Sequence, residues 1–410
     1  MRKRILANIH SKSYVQNSPS LSAISRILIF ERFLPKVEAL AASGAVVDVH
    51  RLFNLITMDL VTAYQFGLCN SSNFIQEDAT ATWWLDLYHS RKHSTFIPQE
   101  LPDLCKALAI FGINLSPKFV ADANRQLEEW CLQMCDAAER QLEKEKSSEA
   151  EDIHPENMPV VYGQLKKSLD AESRTLSSET QPNHAQRLII ASEMLDQLAA
   201  GQETSDITLT YLFHELAQRP SLQETLRTEA LNLFPPLTLT SDGTLPTAKS
   251  LDALPLLHAV LMETLRLHTA IPGPQPRITP PGGTTLGPYT NIPGGVRVSA
   301  SAYSLHRNSS VFPDPESFHP DRWLPATTAQ TPEEEESRAE QHRWFWAFGS
   351  GGRMCIGSNL AMQEMKLIAA AVVSNFRVEV VDDEGIEQED SYTSQPRSGR
   401  LMLRFERWGG

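Results

Sequence analysis

The chain has 410 residues, of which 41% are hydrophobic and 21% are charged. These values predict a globular protein with a large core, built as one large domain or up to three ordinary ones. The net charge of −13, with no long basic block, argues against a nucleic-acid partner. The number of cysteines, five, is small and odd, which disfavours a disulfide framework and favours a reducing compartment.

Targeting signals are weak in this sequence. The apolar stretches fall far short of the ~20 residues that a membrane-spanning helix needs. The first thirty residues are basic, rich in serine and free of acidic residues, a composition that also occurs in mitochondrial presequences. We favour an ordinary basic helix at this position.

Apolar spacing in the first half of the chain predicts a series of helices. They cover residues 1–12, 21–42, 47–66, 77–92 and 119–145. We expect a loop over 98–117, and a surface connection over 147–183 that holds one short helix at 162–169. Cys131 and Cys135 are four residues apart on a predicted helix, so they are either half of a metal site or part of the helix packing; we favour packing.

A long helical pattern over residues 184–219 contains an unusual stretch, Ala200-Gly201-Gln202-Glu203-Thr204. A glycine inside a helix costs about 1 kcal/mol relative to alanine. The glycine is followed by an acid and a hydroxyl, which suggests that the helix opens locally and that a side-chain hydroxyl replaces a backbone hydrogen bond. The alternative is an ordinary glycine beside solvated Glu203 and Thr204.

The next well-defined helix carries leucines at 254, 257, 261 and 265, together with Glu263 and Arg266. The two charged residues are three apart and can form a pair on one side of the helix. Because the pair lies among leucines, it should be buried and should need a third partner. Arg322, in the stretch Phe-His-Pro-Asp-Arg-Trp, is the candidate. The alternative is that all three are surface charges.

Short strands and turns follow over 277–301, and an acidic, solvated loop is expected at 333–336. Strands at 377–381 and 400–405 should form a hairpin near the end of the chain. The tip of that hairpin, residues 392–395, is a candidate pocket wall. The sequence thus predicts a mainly α protein with small β-sheets.

One cysteine lies in a glycine-rich turn immediately before an apolar helical pattern. A thiol at the start of a helix is stabilised as a thiolate by the helix dipole. A thiolate of this kind is a good axial ligand for haem iron. Arg353 can bind a propionate through two parallel hydrogen bonds, and Phe348 can cover the thiolate side. The cysteine of this turn, and therefore the candidate ligand of haem iron, is Cys355.

This turn resembles the haem-binding signature of the cytochrome P450 family, Phe-x-x-Gly-x-Arg-x-Cys-x-Gly. All defined positions match: Phe348, Gly351, Arg353, Cys355 and Gly357. The alternatives are an ordinary cysteine in a glycine-rich loop, a zinc site or a redox thiol. No second cysteine or histidine is spaced to share a metal with this thiol.

The resemblance implies a role for each matching residue. The cofactor would be haem b, with Cys355 as the axial ligand of its iron. Arg353, Arg277 and a basic residue near the start of the chain, Lys3 or Arg4, would bind propionates. Glu203 and Thr204 match the family's acid–alcohol pair, which relays protons to dioxygen. The resemblance also implies a structural network on the proximal side of the haem, formed by Glu263, Arg266 and Arg322.

The resemblance extends along the whole sequence, which implies the cytochrome P450 fold and one haem-thiolate catalytic domain over residues 1–410. The membrane anchor, first helices and first strands of microsomal members are not recognisable, so we expect a domain truncated at its N-terminus. The style of the motifs resembles filamentous-fungal members of secondary metabolism. Full-length relatives are expected at the cytosolic face of the endoplasmic reticulum, and a chain without the anchor in the cytoplasm.

Three functions remain open at this point. The first is a monomeric haem-thiolate monooxygenase that oxidises an apolar small molecule, with electrons from NADPH-cytochrome P450 reductase. The second is an isomerase or dehydratase that acts on a peroxide without a reductase; the acid–alcohol pair argues against it. The third is a non-catalytic remnant, which the truncated front end would favour.

Overall fold

The computed structural model describes residues 2–94, 96–145, 153–175, 183–325 and 331–409. Contacts divide the chain into two compact units. Unit 1 consists of Met1–Phe33 and Leu55–Gln202, and unit 2 of Leu34–Asn54 and Glu203–Gly410. Each unit is described below by itself.

Helices make up most of the described chain. In chain order they are α1 Arg2–Leu6, α2 Lys12–Asn17, α3 Pro19–Arg26, α4 Leu34–Ala42, α5 Val49–Phe66, α6 Asp78–Ser90, α7 Phe96–Glu100, α8 Pro102–Ile110, α9 Lys118–Glu145, α10 Val160–Thr175, α11 Asn183–Ala217, α12 Pro220–Ala230, α13 Ala248–Asp252, α14 Pro255–Leu267, α15 Ala302–His306, α16 Pro332–Trp344 and α17 Ser358–Asn375. A π-helical segment, Ile27–Phe33, joins α3 to α4. Within the described ranges, no helix is long and apolar enough to cross a membrane.

The strands are short and antiparallel. They are β1 Val46–Asp48, β2 Pro274–Ile278, β3 Thr284–Leu286, β4 Tyr289–Ile292, β5 Arg297–Ser301, β6 Phe376–Asp382 and β7 Met402–Arg407. The largest sheet has the order β1-β7-β6, while β2 pairs with β5 and β3 with β4. All of these strands belong to unit 2.

Unit 1 is a helical unit whose helices are joined by aromatic and charged contacts. Trp84 of α6 contacts Trp130 of α9, with their ring centres 5.8 Å apart. Arg187 of α11 holds Asp136 of α9 through two hydrogen bonds of 2.7 Å each. The pKa of Asp136 lies below its usual value chiefly because of these hydrogen bonds. The aromatic contact holds α6 against α9, and the Arg187–Asp136 pair holds α9 against the first half of α11.

Unit 2 is built around α14 and α17, which pack against one another and against α12. The residues of α17 from Glu364 to Asn375 are all buried, as are those of α14 from Ala259 to Leu267. A helix that is buried on every side belongs to the centre of a core rather than to its surface. Both helices are therefore firmly held by packing, and the chain segments next to their ends are joined to well-packed elements.

The prediction of a mainly α protein with small sheets is confirmed, and most predicted helices lie near their expected bounds. The first predicted helix, 1–12, ends at Leu6, and a separate helix, α2, begins at Lys12 after Ser11, whose side chain accepts a hydrogen bond from the Tyr14 backbone. The helix expected at 162–169 is the longer α10. Parts of the predicted connection, 147–152 and 176–182, lie outside the described residues.

Two predicted loops were wrong. The stretch 98–117 contains α8, which begins at Pro102, and the acidic stretch 333–336 lies within α16, which begins at Pro332. Proline is well suited to the first turn of a helix, because the N–H that it lacks has no partner there. In α16, Thr331 and Glu334 form a reciprocal cap, and the acidic first turn complements the helix dipole.

The expected opening of the long helix at Gly201 was also wrong, because α11 is continuous from Asn183 to Ala217. The glycine instead makes room for a neighbouring helix in unit 1. A Cβ atom built on Gly201 would lie only 2.9 Å from Cγ2 of Val61 on α5. Such a distance is shorter than real contacts of this kind, so the glycine permits the close approach of α5 and α11.

Candidate active site

Cys355 lies at the end of a tight turn in unit 2. Its backbone N–H donates to the carbonyl of Phe348 at 2.8 Å, which closes the turn. Inside the turn, the N–H of Met354 donates to the carbonyl of Gly351 at 3.0 Å. Helix α17 begins three residues after Cys355, at Ser358. The thiol therefore stands close to the positive end of a long, buried helix, a position that favours the thiolate.

The glycines of this turn serve different purposes. Gly351 has a φ of +66°, which side chains disfavour, so the turn itself requires glycine there. Gly357, by contrast, has a φ of −83°, and a Cβ built on it would lie at an ordinary 3.9 Å from the Cys355 sulfur. Added Cβ atoms at Gly351 and Gly352 would meet no atom within 4 Å. The turn thus presents a surface of bare backbone.

Among the other signature residues, Cys355 and Arg353 are exposed, whereas Phe348 is half-buried. Arg277 on β2 approaches the same turn, because its Nη2 donates to the carbonyl of Ser350 at 3.3 Å. Gln275, two residues earlier on β2, lies against Gly349 of the turn. Alternate side chains of one strand therefore contact the turn, and the structure brings Arg277 together with the Cys355 loop.

The pair Glu263 and Arg266 is fully buried on α14. Two hydrogen bonds join the side chains, Nε to Oε2 at 2.9 Å and Nη2 to Oε1 at 2.7 Å. Other hydrogens of Arg266 are directed at backbone carbonyls at the end of α15 and in the segment that follows it. Those acceptors are His306 at 3.0 Å, Pro315 at 2.7 Å and Ser317 at 3.1 Å.

The expected third partner of this pair is present. Nε of Arg322 lies 3.3 Å from Glu263 Oε1. The carboxylate also accepts from the backbone N–H of His319 at 2.9 Å and from the indole N–H of Trp323 at 2.8 Å. Burial by itself would raise the pKa of Glu263, but the hydrogen bonds and charge of Arg266, assisted by His319 and Trp323, hold it below its usual value. The carboxylate therefore stays ionised inside the core.

Glu203 is buried on α11, with only 4% of its surface exposed. Its Oε1 accepts a hydrogen bond of 2.8 Å from the hydroxyl of Thr393. Thr393 belongs to the turn at the tip of the C-terminal hairpin, which is attached by its neighbour, since Ser394 N–H donates to the carbonyl of Ala270 at 2.9 Å. The tip of the predicted hairpin is thus fixed to the acid of the predicted acid–alcohol pair.

The other predicted site residues are placed as follows. Thr204 follows Glu203 on α11 and is half-buried, and its carbonyl accepts from the Thr208 hydroxyl at 2.8 Å. Lys3 lies on α1 in unit 1 and is exposed. Its predicted role as a propionate ligand remains a prediction. Cys131 and Cys135 are buried on α9, and the described residues hold no cluster of three or more metal-ligating side chains.

Sequence reasoning missed three contacts at this site. The hydroxyl of Thr393, the indole of Trp323 and the imidazole of His306 each bind a predicted site residue or the loop that leads to one. The sequence offers a signal only for Trp323, which directly follows Arg322. The other two lie far along the chain from the groups they bind, so only the folded structure reveals them.

Known proteins resemble this chain over most of its length. The family description that matches the sequence reads Cytochrome P450, and the match covers residues 1–402. Cytochrome P450 monooxygenase avaI of Aspergillus versicolor is 28% identical over 366 residues, which are 88% of this chain and 77% of that protein. For tazI of Aspergillus terreus, the identity is 40% over 196 residues, 48% of this chain and 36% of that protein.

Solved structures show the same fold. The cytochrome P450DA heme domain superposes with a TM-score of 0.68 at 19% identity, covering 99% of this chain and 76% of that one. A second structure, CYP102L1, gives a TM-score of 0.67 at 19% identity and covers 99% and 81% of the two chains. These likenesses confirm the predicted cytochrome P450 fold. Since the family description matches nearly all of the sequence, the chain belongs to the cytochrome P450 family.

Proposed function

We propose that this chain is a monomeric haem-thiolate monooxygenase that inserts one oxygen atom into an apolar small molecule of fungal secondary metabolism. The observation that carries the proposal is the Cys355 turn, which presents an exposed thiol at the N-terminus of a buried helix. Electrons would come from NADPH through a separate cytochrome P450 reductase. Full-length relatives would meet that reductase at the cytosolic face of the endoplasmic reticulum.

The residues of the turn fit haem, the cofactor that the family implies. Bare backbone at Gly351 and Gly352 leaves room for a flat ring, and the thiol of Cys355 is the matching soft ligand. Arg353 is exposed beside the thiol and Arg277 is fixed to Ser350, so two cations are available for propionates. We assign a further propionate contact to Lys3. When bound, haem b supplies the iron centre that activates dioxygen.

The protein's own side chains have separate tasks in this proposal. Cys355 binds the iron, and Phe348 shields the sulfur from water. Glu203 and Thr204 hold and transfer the protons that oxygen activation consumes, the first at its carboxylate and the second at its hydroxyl. The buried network of Glu263, Arg266 and Arg322 holds the segment that precedes the turn.

A carbon monoxide spectrum of the dithionite-reduced protein tests the proposal. We expect a strongly red-shifted Soret band in the unchanged chain, since a thiolate ligand donates electron density to the iron. Cys355→Ser should abolish that band, whereas Cys69→Ser, which alters another exposed cysteine, should leave it intact. An unchanged chain that binds no haem, or that shows only a blue-shifted band, would contradict the proposal and favour a non-catalytic remnant.

Product formation is the second measurement. Turnover of apolar test substrates should require both NADPH and a cytochrome P450 reductase. Turnover of a peroxide substrate without reductase would instead indicate an isomerase or dehydratase. Glu203→Gln should slow the reductase-dependent reaction about a hundredfold, the usual size of a lost acid–base group.

A further inference from the structure

His306 is the last residue of α15, and its side chain is fully buried. The ring makes two hydrogen bonds. Nδ1 lies 2.9 Å from the backbone carbonyl of Arg266, and Nε2 lies 2.8 Å from the backbone nitrogen of Trp346. A carbonyl can only accept and a backbone N–H can only donate. The ring is therefore neutral, with its proton on Nδ1.

The bonds of His306 with Arg266 run in both directions. The ring donates to the carbonyl of Arg266, and the guanidinium of Arg266 donates to the carbonyl of His306 at 3.0 Å. Arg266 is itself held by the buried carboxylate of Glu263. His306 is thus fixed to the buried ion pair of unit 2 through its side chain and its backbone.

On its other side, His306 holds the segment that leads into the cysteine turn. Its ring accepts from Trp346 N–H and stacks on Phe345, with ring centres 5.4 Å apart and planes 15° from parallel. The carbonyl of Trp346 then accepts from Gly349 N–H at 2.9 Å. Phe348, between these two, provides the carbonyl that binds the N–H of Cys355.

We propose that His306 is a positioning residue, which sets the backbone of the Cys355 turn by joining Trp346 N–H to the Glu263–Arg266 pair. The proposal rests on the proposed function only in taking Cys355 as the ligand of haem iron. A ligand loop that is held by a neutral, fully bonded ring keeps its sulfur in one orientation, and groups beyond the ligand itself tune both affinity and ligand strength.

Three variants separate the two bonds of the ring. His306→Phe keeps the stacking on Phe345 and loses both bonds. His306→Gln places an acceptor near the position of Nε2, and His306→Asn places a donor near the position of Nδ1. If the bond to Trp346 positions the turn, His306→Gln should behave most like the unchanged protein.

Hydrogen exchange of the segment 345–355 in the haem-free protein is the first measurement. In His306→Phe and His306→Asn, exchange at Trp346 should be roughly tenfold faster or more, because a bonded amide has lost its acceptor. The second measurement is the reduced carbon monoxide spectrum. There the blue-shifted fraction should rise several-fold in the same two variants and little in His306→Gln.

His268→Phe is the matched control, because His268 is a half-buried ring that also stacks on an aromatic residue, Tyr211, and binds a carboxylate, Glu215. It should lower the melting temperature without faster exchange over 345–355.

Equal exchange and equal spectra in His306→Phe and His268→Phe would overturn the proposal. If His306→Phe does not fold, the contrast between the Gln and Asn variants decides. A chain that never gives the thiolate band defeats the proposed function, but the exchange measurement still tests His306.

Discussion

The hydroxyl of Thr393 is a group that the structure adds to the predicted proton-transfer pair. It donates to Glu203 at 2.8 Å, and the threonine itself is 7% exposed. A carboxylate that is bound at one oxygen has fewer accessible rotamers, so its other oxygen is directed more reliably. The turn that carries Thr393 therefore contributes to the placement of the acid.

Thr393→Val removes this hydroxyl at nearly constant shape. We expect turnover to fall about tenfold and the ratio of product to consumed NADPH to fall with it, because misplaced acid–base groups transfer protons less efficiently. Steady-state kinetics with product and NADPH measured together provide the test. Thr393→Ser keeps the donor and should recover most of the loss, and a Val variant with unchanged coupling would show that the bond is only structural.

Some contacts between individual residues could be predicted from the sequence, and others could not. Glu263 and Arg266 are three residues apart on one helix, so their pairing follows from helix geometry alone. Thr393 lies 190 residues after Glu203, and His306 lies 40 residues from both Arg266 and Trp346. Contacts over such separations depend on the folded arrangement of several elements and leave no periodic pattern in the sequence.

At the scale of helices and loops, the errors of prediction came from residues that act differently at the start of a helix than inside it. Loops were predicted over 98–117, which contains prolines, and over 333–336, which is a run of acids. In the structure, Pro102 and Pro332 begin helices, and the acids of α16 lie in its first turn. The same residues in a helix interior would have broken or weakened it.

Gly201 shows the same limitation for helix packing. Its occurrence in α11 suggested a local opening, but its observed role is to accept the side chain of Val61. A sequence pattern shows that a helix contains a glycine; it does not show which neighbour approaches it. The close approach of α5 and α11 is a property of two elements together.

Gly201→Ala should therefore destabilise the protein although alanine is the better helix former. Relief of the 2.9 Å contact requires Val61 or a helix to move, and overpacking of this kind costs about 1–3 kcal/mol against about 1 kcal/mol gained in helix propensity. Val61→Ala should remove the clash. Urea unfolding of both single variants and the double variant should give a favourable coupling energy, and additive effects would contradict this packing argument.

At the scale of the whole molecule, two buried groups should shape the dependence of stability on pH. Burial raises the pKa of Glu364 on α17 to about 8, and its Oε1 has no hydrogen-bond partner in the described parts of the chain. Burial lowers the pKa of His306 to about 4, a shift to which the charges of Arg266 and Arg307 also contribute. The two pKa shifts change stability with pH in opposite directions.

Whether each group makes stability rise or fall with pH follows from the protons that it binds in the folded and in the unfolded state. Between the usual value of 4.5 and about 8, Glu364 is protonated only when folded, so stability falls as pH rises. Between about 4 and the usual 6.5, His306 is protonated only when unfolded, so stability rises with pH. The contributions of the two groups oppose each other in the pH range that both share, from about 4.5 to 6.5. Above pH 6.5, of these two groups, only Glu364 still makes stability depend on pH.

Glu364→Gln should therefore gain stability over the unchanged protein as pH rises from 6.5 to 8. The expected difference is up to about 1.4 kcal/mol for each pH unit, because one proton is involved. Unfolding by urea at several pH values, with both proteins at the same ionic strength, measures this difference directly. Parallel curves for the two proteins would mean that Glu364 is not buried in its neutral form.

The contact between Gly201 and Val61 also limits the order in which this sequence can diverge. The two positions are 140 apart in the numbering, and a change at either one alters what the other tolerates. A lineage that acquires alanine at 201 first must pass through an overpacked intermediate. A lineage in which position 61 becomes smaller first meets only a cavity, which later growth at 201 can fill. Substitution at position 61 should therefore precede substitution at 201 in the ancestry of any relative that carries alanine there.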